Sequence, residues 1–230
     1  MAQNEKLVFV GSYNMSGMMT QFAEITLQSK RVKTSNNTYQ HLSLTASTYS
    51  KWDSFFKIRD IYESYVNPTS LTPTLYKRQV EEGGYRISEK YIFGKNSIKA
   101  TVSRNGRQPS NQSVTIGNST TDIVTAFYKL RKINFNNMKV GQITSFKIVF
   151  DATEHVVSVR YLGKETVARA GNLGKKVCHK ISMVSQADIL KGKDRNLVWL
   201  TADAQKIPVL IRFNIPVGAG QATLKSATFN

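Results

Sequence analysis

Apolar and polar positions alternate along most of the chain, which is the period-2 signature of strands with one buried face. Leu7, Phe9, Gly11, Tyr13 and Met15 share one parity ahead of a Ser16-Gly17 turn. Ala23, Ile25 and Leu27 lie on one face of residues 20–28, and Leu42, Leu44 and Ala46 on one face of 39–48. Three such runs, the last two separated by the basic, Asn-rich stretch 29–37, predict an antiparallel meander. Extended segments recur over 71–78, 85–93 and as far as Val102, and again from 143 onward, with turns at 82–84, 163–164 and 202–205. Residues 103–121, rich in Ser, Asn, Gly and Thr, read as a loop.

Two segments change period. Ser50-Lys51-Trp52-Asp53 places an acceptor side chain three residues before a carboxylate, close to a capping box. Phe55, Ile58, Tyr62 and Tyr65 follow at spacings of three and four, and Asn67-Pro68 stops the run. The spacing predicts a helix over 51–66 that lays an aromatic face on the sheet. A second helix is predicted over 121–133, capped by Thr121 or Asp122, with Ile123, Ala126, Phe127 and Leu130 as its apolar stripe. Lys129, Arg131 and Lys132 fall near its C-terminal end, where cations suit the helix dipole. No internal repeat or linker interrupts the pattern, so residues 1–230 read as a single domain, mostly β (α+β), with two helices on an antiparallel sheet. A chain of 230 residues with 40% hydrophobic content can bury its own core without a disulfide or metal staple.

Charge adds a second feature. The formal net charge is +17, and it is uneven. Residues 1–90 hold 11 basic and 8 acidic side chains, whereas 91–230 hold 21 and 7. Such a field attracts polyanions without specificity. The densest basic stretches, Lys30-Arg31-Val32-Lys33, Lys175-Lys176 and Lys191-Gly192-Lys193-Asp194-Arg195, read as turns between strands rather than nucleic-acid arms. No specific nucleic-acid partner is expected: Tyr85, Tyr91 and Phe93 sit at strand parity beside Arg86 and Lys95, where burial is the ordinary explanation. No stretch is long and apolar enough for a transmembrane helix.

Catalytic chemistry is not legible. Dinucleotide, phosphate-loop, nucleophile-elbow and zinc-protease motifs are all missing. Cys178 and His179 are adjacent, but neighbours on a strand point to opposite faces and cannot share a proton. Asp53 and Asp122 read as helix caps, Asp203 as a turn residue, and Asp60 as the partner of Arg59 or a lysine on an exposed face. No enzyme activity, cofactor or metal site is expected.

Three blocks carry a family resemblance. They are 53–64 (DSFFKIRDIYES) with Leu71-Thr72-Pro73, 121–131 (TDIVTAFYKLR), and 199–209 (WLTADAQKIPV) with Val217-Gly218 and Leu224. Together they resemble a bacterial family of exported proteins classed as a domain of unknown function. The resemblance implies secretion, so the polar start Met1-Ala2-Gln3-Asn4-Glu5-Lys6 is expected to follow a removed signal peptide. It also implies a curved sheet or half-barrel packed on helices, similar to that of periplasmic lipoprotein carriers, which hold acyl chains between sheet and helix. This chain departs from those carriers in its basic charge and in lacking a lipobox cysteine. The expectation is a periplasmic or cell-envelope binding module for a hydrophobic, lipid-like ligand. Trp52, Phe55, Phe56 and Tyr62 are the candidate lining, and Arg59 a candidate anion contact at the rim. Two alternatives stand beside it: a protein that docks on anionic envelope surfaces through 91–230, and an enzyme of unrecognised type.

Overall fold

The computed structural model describes residues 4–185, 196–215 and 218–229. Its framework is one sheet of fifteen strands. The chain enters at the middle of the sheet with β1 (Glu5–Met15) and moves outward by hairpins. β2 (Met18–Lys33), β3 (Thr38–Thr48), β4 (Arg59–Val66), β5 (Pro73–Glu82), β6 (Tyr85–Phe93), β7 (Ser97–Arg104) and the edge strand β8 (Ser110–Thr115) follow in order. The chain then crosses to the opposite edge, β9 (Thr121–Asp122), which pairs parallel with β10. From there β10 (Ile143–Phe150), β11 (Thr153–Val167), β12 (Lys176–Ser185), β13 (Asn196–Thr201), β14 (Pro208–Ile215) and β15 (Gly218–Phe229) return by antiparallel pairing until β15 meets β1. The predicted three-strand meander is β1–β3. The basic stretch at 30–33 is the end of β2 rather than a turn, and β8 forms inside the stretch read as a loop. The basic stretch 191–195 lies outside the described residues.

The sheet does not close on itself: β8 and β9 are its edges. It curves until its arms meet. The tight turn between β10 and β11 reaches β5 and β6, where Asp151 ion-pairs with Arg78 at 3.0 Å and the Tyr91 hydroxyl accepts the Ala152 N–H at 2.9 Å. Asp151 and Ala152 both have positive φ, the geometry a two-residue hairpin turn demands.

Among the described residues one α-helix fills the concave side, where two were expected. α1 (Ile123–Leu130) is shorter than the predicted 121–133, because Thr121–Asp122 pairs as a strand and Arg131 begins a turn. Asp122 is the N-cap, as its position predicts: its carboxylate accepts the Thr125 N–H at 2.8 Å. The helix touches several cores at once. Val124 and Tyr128 pack with Leu42, Tyr76 and Tyr91; Phe127 packs against the cluster of Leu7, Phe9 and Trp199; Leu130 packs with Phe135 and Val159. Each large apolar side chain buried this way contributes about 1.5–3 kcal/mol.

Residues 51–66 form no helix. Ser50–Trp52 makes a single 3-10 turn, and Arg59–Val66 is β4. Asp60, Ser64 and Val66 are buried on one face with Tyr62 beside them, so Tyr62 and Tyr65 point to opposite sides of the sheet. The three-and-four spacing of the aromatics is coincidental. Ile61, Tyr62, Tyr65 and Val66 are strand formers, and pairing with both β3 and β5 outweighs a weak helical preference.

Candidate functional site

The concave interior is not filled at one end. Beyond α1, near the tips of the β1–β2 and β14–β15 hairpins, an open cavity of about 440 Å³ remains. That is a ligand-sized space, since such sites span about 300–1,000 Å³. Its walls come from three places. β1 and β2 supply Tyr13, Met15, Phe22, Ala23 and Ile25; β3 and the following turn supply Ala46, Phe55, Phe56 and Ile58; the β14–β15 hairpin supplies Phe213 and Gly220. Apart from the hydroxyls of Ser12 and Tyr13, no lining side chain carries an oxygen or nitrogen.

Local irregularities shape these walls. Gly11 opposes Ala23 but Ser12 opposes Gln21, so Phe22 is an extra residue on β2. Such a bulge turns neighbouring side chains to one side, and Phe22 and Ala23 both line the cavity. Across the cavity the Phe213 ring lies on its cross-strand partner Gly220, where a Cβ would sit 2.4 Å from the ring. Phe56 rests in the same way on Gly83, whose φ of +54° is a further reason for glycine there.

The structure separates the residues predicted to act together. Phe55 and Phe56 line the cavity, with Phe55 73% exposed at its mouth. Trp52 stands behind them: its ring centroid is 5.8 Å from Phe22 and 6.5 Å from Phe55, and its indole N–H donates to the Gln21 carbonyl. Arg59 is held in the turn, donating to Asp53 at 2.5 Å and to Thr48 and Ile58. Asp53 therefore caps no helix; hydrogen bonds from Thr48 and Arg59 hold its carboxyl below the usual carboxylate range. Tyr62 lies deeper, beside Asp60 and Arg78, where burial raises its phenol well above the ordinary value.

That deeper region holds a group of charges that the sequence did not reveal. Asp60 is buried, not on an exposed face paired with Arg59. Its carboxyl hydrogen-bonds that of Glu82, and burial, with the neighbouring Glu82 charge, pushes it up to about 8. Arg78 spans Glu89 at 3.4 Å and Asp151 at 3.0 Å, and its guanidinium lies 4.4 Å from the Phe150 ring centre. Burial raises the Glu89 carboxyl as well. The group adjoins the cavity, because Asp60 pairs in register with Ala46 and Glu82 bridges to Ile58. Alternation along β4, β5 and β6 carries the signal: Asp60, Arg78 and Glu89 each occupy an inward parity among apolar neighbours.

The remaining polar candidates are apart. Asp122 is buried beneath Ser64 and Thr125, and Asp203 accepts the N–H groups of Gln205 and Lys206 in a turn. Cys178 and His179 are both buried in β12. Burial pushes the Cys178 thiol up to about 11, and His179 Nδ1 faces the Tyr161 hydroxyl at 3.3 Å. Among the described residues, no group of three or more His, Cys, Asp or Glu could hold a metal ion. Nor is any described helix long and apolar enough to cross a membrane.

The architecture is that of a barrel-like β protein: a single curved sheet wrapped around one helix. The chain belongs to the family described as "Protein of unknown function (DUF3108)", whose model matches residues 12–225. No curated protein is similar enough to match it. Among solved structures it is similar to a beta-barrel-like protein of domain of unknown function DUF1849 from Brucella abortus, at 6% identity and TM-score 0.63, covering 100% of this chain and 98% of the other. It is more distantly similar to a putative lipoprotein from Parabacteroides distasonis ATCC 8503, at 11% identity and TM-score 0.35, covering 98% and 95%.

Proposed function

We propose that this protein is a cell-envelope binding module that holds a hydrophobic, lipid-like ligand in the cavity at the open end of its half-barrel. The observation that carries this reading is the cavity itself: about 440 Å³, open to solvent, and walled almost entirely by apolar side chains. An unfilled apolar space of that size forfeits packing that the chain could have recovered with larger residues at Ala23 or Ala46. A binding role is favoured over an enzymatic one because the carboxyls gathered around Arg78 adjoin the cavity without lining it, and Asp53, Asp122 and Asp203 lie in separate environments.

Native mass spectrometry of the purified protein, paired with denaturing mass spectrometry, tests the reading. Extra mass that vanishes on denaturation is the expected result. For protein stripped of ligand, N-phenyl-1-naphthylamine should fluoresce on entering the cavity, and Ala46→Phe should fill the space and reduce that binding at least about tenfold, or about 1.4 kcal/mol. An unaltered apo mass together with probe binding indifferent to Ala46→Phe would refute the cavity as a ligand site.

A further inference from the structure

The end of the molecule into which the cavity opens has an unusual surface. Met18 is 71% exposed, and Met19 and Phe56 are also exposed beside Phe55. Met18 pairs across the β1–β2 hairpin with Met15, which lines the cavity, so the exposed rim and the apolar interior are continuous. The parts of the hairpins that build this end carry no charge: residues 7–23 of β1–β2, and 213–215 and 218–224 of β14 and β15, contain no Asp, Glu, Lys, Arg or His, in a chain with 47 acidic and basic side chains. Charge resumes behind the rim, at Lys51 over the Trp52 ring and at the ion pairs Lys57–Glu81, Arg59–Asp53 and Lys225–Glu24. Contiguous exposed apolar surface marks an interaction site, and three methionines give an adaptable one.

We propose that this end docks on an anionic phospholipid bilayer, with Met18, Met19 and Phe55 entering the headgroup–acyl boundary and the cavity mouth facing the lipid. A bilayer is favoured as the occupant because it matches both features at once. The uncharged tips suit the acyl boundary, where a charge would be costly to desolvate. The net charge of +17 draws the molecule to an anionic surface. Trp52, just behind the rim, stands where an amphipathic indole would meet the headgroups. Docking would let a ligand pass between bilayer and cavity without crossing water; in that respect it rests on the binding reading above.

Vesicles of phosphatidylethanolamine and phosphatidylglycerol provide the test. The protein should co-sediment with them, and Trp52 emission should shift to the blue and be quenched by lipids brominated near the headgroup. Trp199, 1% exposed, should be silent in a Trp52→Phe control. Met18→Asp/Met19→Asp alters only the hairpin tip, outside the cavity wall. It should weaken vesicle binding at least about tenfold, the loss of roughly one buried apolar side chain, while leaving N-phenyl-1-naphthylamine binding within about twofold. Met18→Ser/Met19→Ser, with an unchanged melting profile, covers the case where the acidic pair fails to fold. Vesicle binding unchanged in both variants, or bound without a Trp52 response, would overturn the proposal and point to the basic surface of 91–230. A dimer in solution that hides the rim and prevents sedimentation would overturn it in favour of a second copy. Loss of probe binding in the unmodified protein with vesicle docking intact would overturn the cavity reading alone.

Discussion

Asp60 shows how one residue can set a pH dependence. Its carboxyl is buried on the concave face of β4, hydrogen-bonded to Glu82, with Arg78 as the nearby cation. Burial and the Glu82 charge raise it to about 8, far above the value near 3.9 of an unfolded chain. Between those values the folded protein holds a proton that the unfolded chain has lost. Stability from this group is therefore complete below about pH 4 and declines as pH rises through about 8. Glu89 and Asp122, also raised by burial, act in the same direction. His179, lowered by burial, acts in the opposite one, as do the depressed Asp53 and Glu154. All of these are common to Asp60→Asn and cancel in the comparison. The expected outcome is that Asp60→Asn gains on the parent protein by a few kcal/mol as pH goes from 5 to 8, about 1.4 kcal/mol per pH unit at most. Urea midpoints at both pH values measure it; a constant difference would remove Asp60 as the source. The sequence placed Asp60 on the exposed face of a helix, because pattern alone cannot show that residue 82 returns to residue 60 after a hairpin.

Elements were legible where local signals agreed with long-range pairing. β1–β3 announced themselves by alternation, and α1 by its stripe and cap, because there the neighbours only reinforce what the local sequence prefers. The segment 51–66 misled for the opposite reason. Its capping-like start makes only a 3-10 turn, and its aromatics are divided between a cavity wall, a strand interior and an outer face. The cavity was half legible: Phe55 and Phe56 stood out as aromatics, but Phe22 needs a bulge, and Phe213 needs β15 to pair beside β1. The cap of α1 gives a prediction at this scale. Asp122 accepts from the Thr125 N–H, the Thr125 hydroxyl and the Ser64 hydroxyl, all within 2.8 Å. Asp122→Ala removes the cap, worth about 1 kcal/mol, and strands one of the two buried hydroxyl donors of Ser64 and Thr125, which lie 2.9 Å apart and can bond each other, at about 1–3 kcal/mol more. A loss of about 2–4 kcal/mol is expected in chemical denaturation. Asp122→Asn, which keeps an acceptor for the helix N–H, should recover part of it.

Taken whole, the molecule places its helix against both arms of the sheet: among the described residues, only the small buried cluster of Val80, Ile87 and Val102 on β5–β7 lacks a residue of α1. β1–β8 and β10–β15 share backbone pairing at β1–β15 and meet again at the β10–β11 turn, where Asp151 reaches Arg78, and a sheet joined at those two places alone could come apart in two steps. α1 opposes that, because its residues belong to clusters on both arms. Arg131, at its C-terminal end, is tied to the first strand: Nη1 and Nη2 donate to the two Glu5 oxygens at 2.6 and 2.8 Å, and the guanidinium also donates to the Gln205 carbonyl. Both side chains are almost wholly buried, so Arg131→Met leaves the Glu5 carboxylate without its partner, at about 3–5 kcal/mol. The sequence read Arg131 as a cation suiting a helix terminus and Glu5 as part of a polar start; their meeting across 126 positions depends on the whole topology. If the helix couples the arms, the loss must appear equally in both. In a Trp52→Phe background, Trp199 fluorescence reports the β13 arm, and amide exchange of β5–β7 reports the other. Arg131→Met should lower the Trp199 midpoint and β5–β7 protection by the same free energy, with one transition preserved. Separate transitions, or a loss confined to the β13 arm, would mean that the sheet is held by β1–β15 pairing and that α1 belongs to one half.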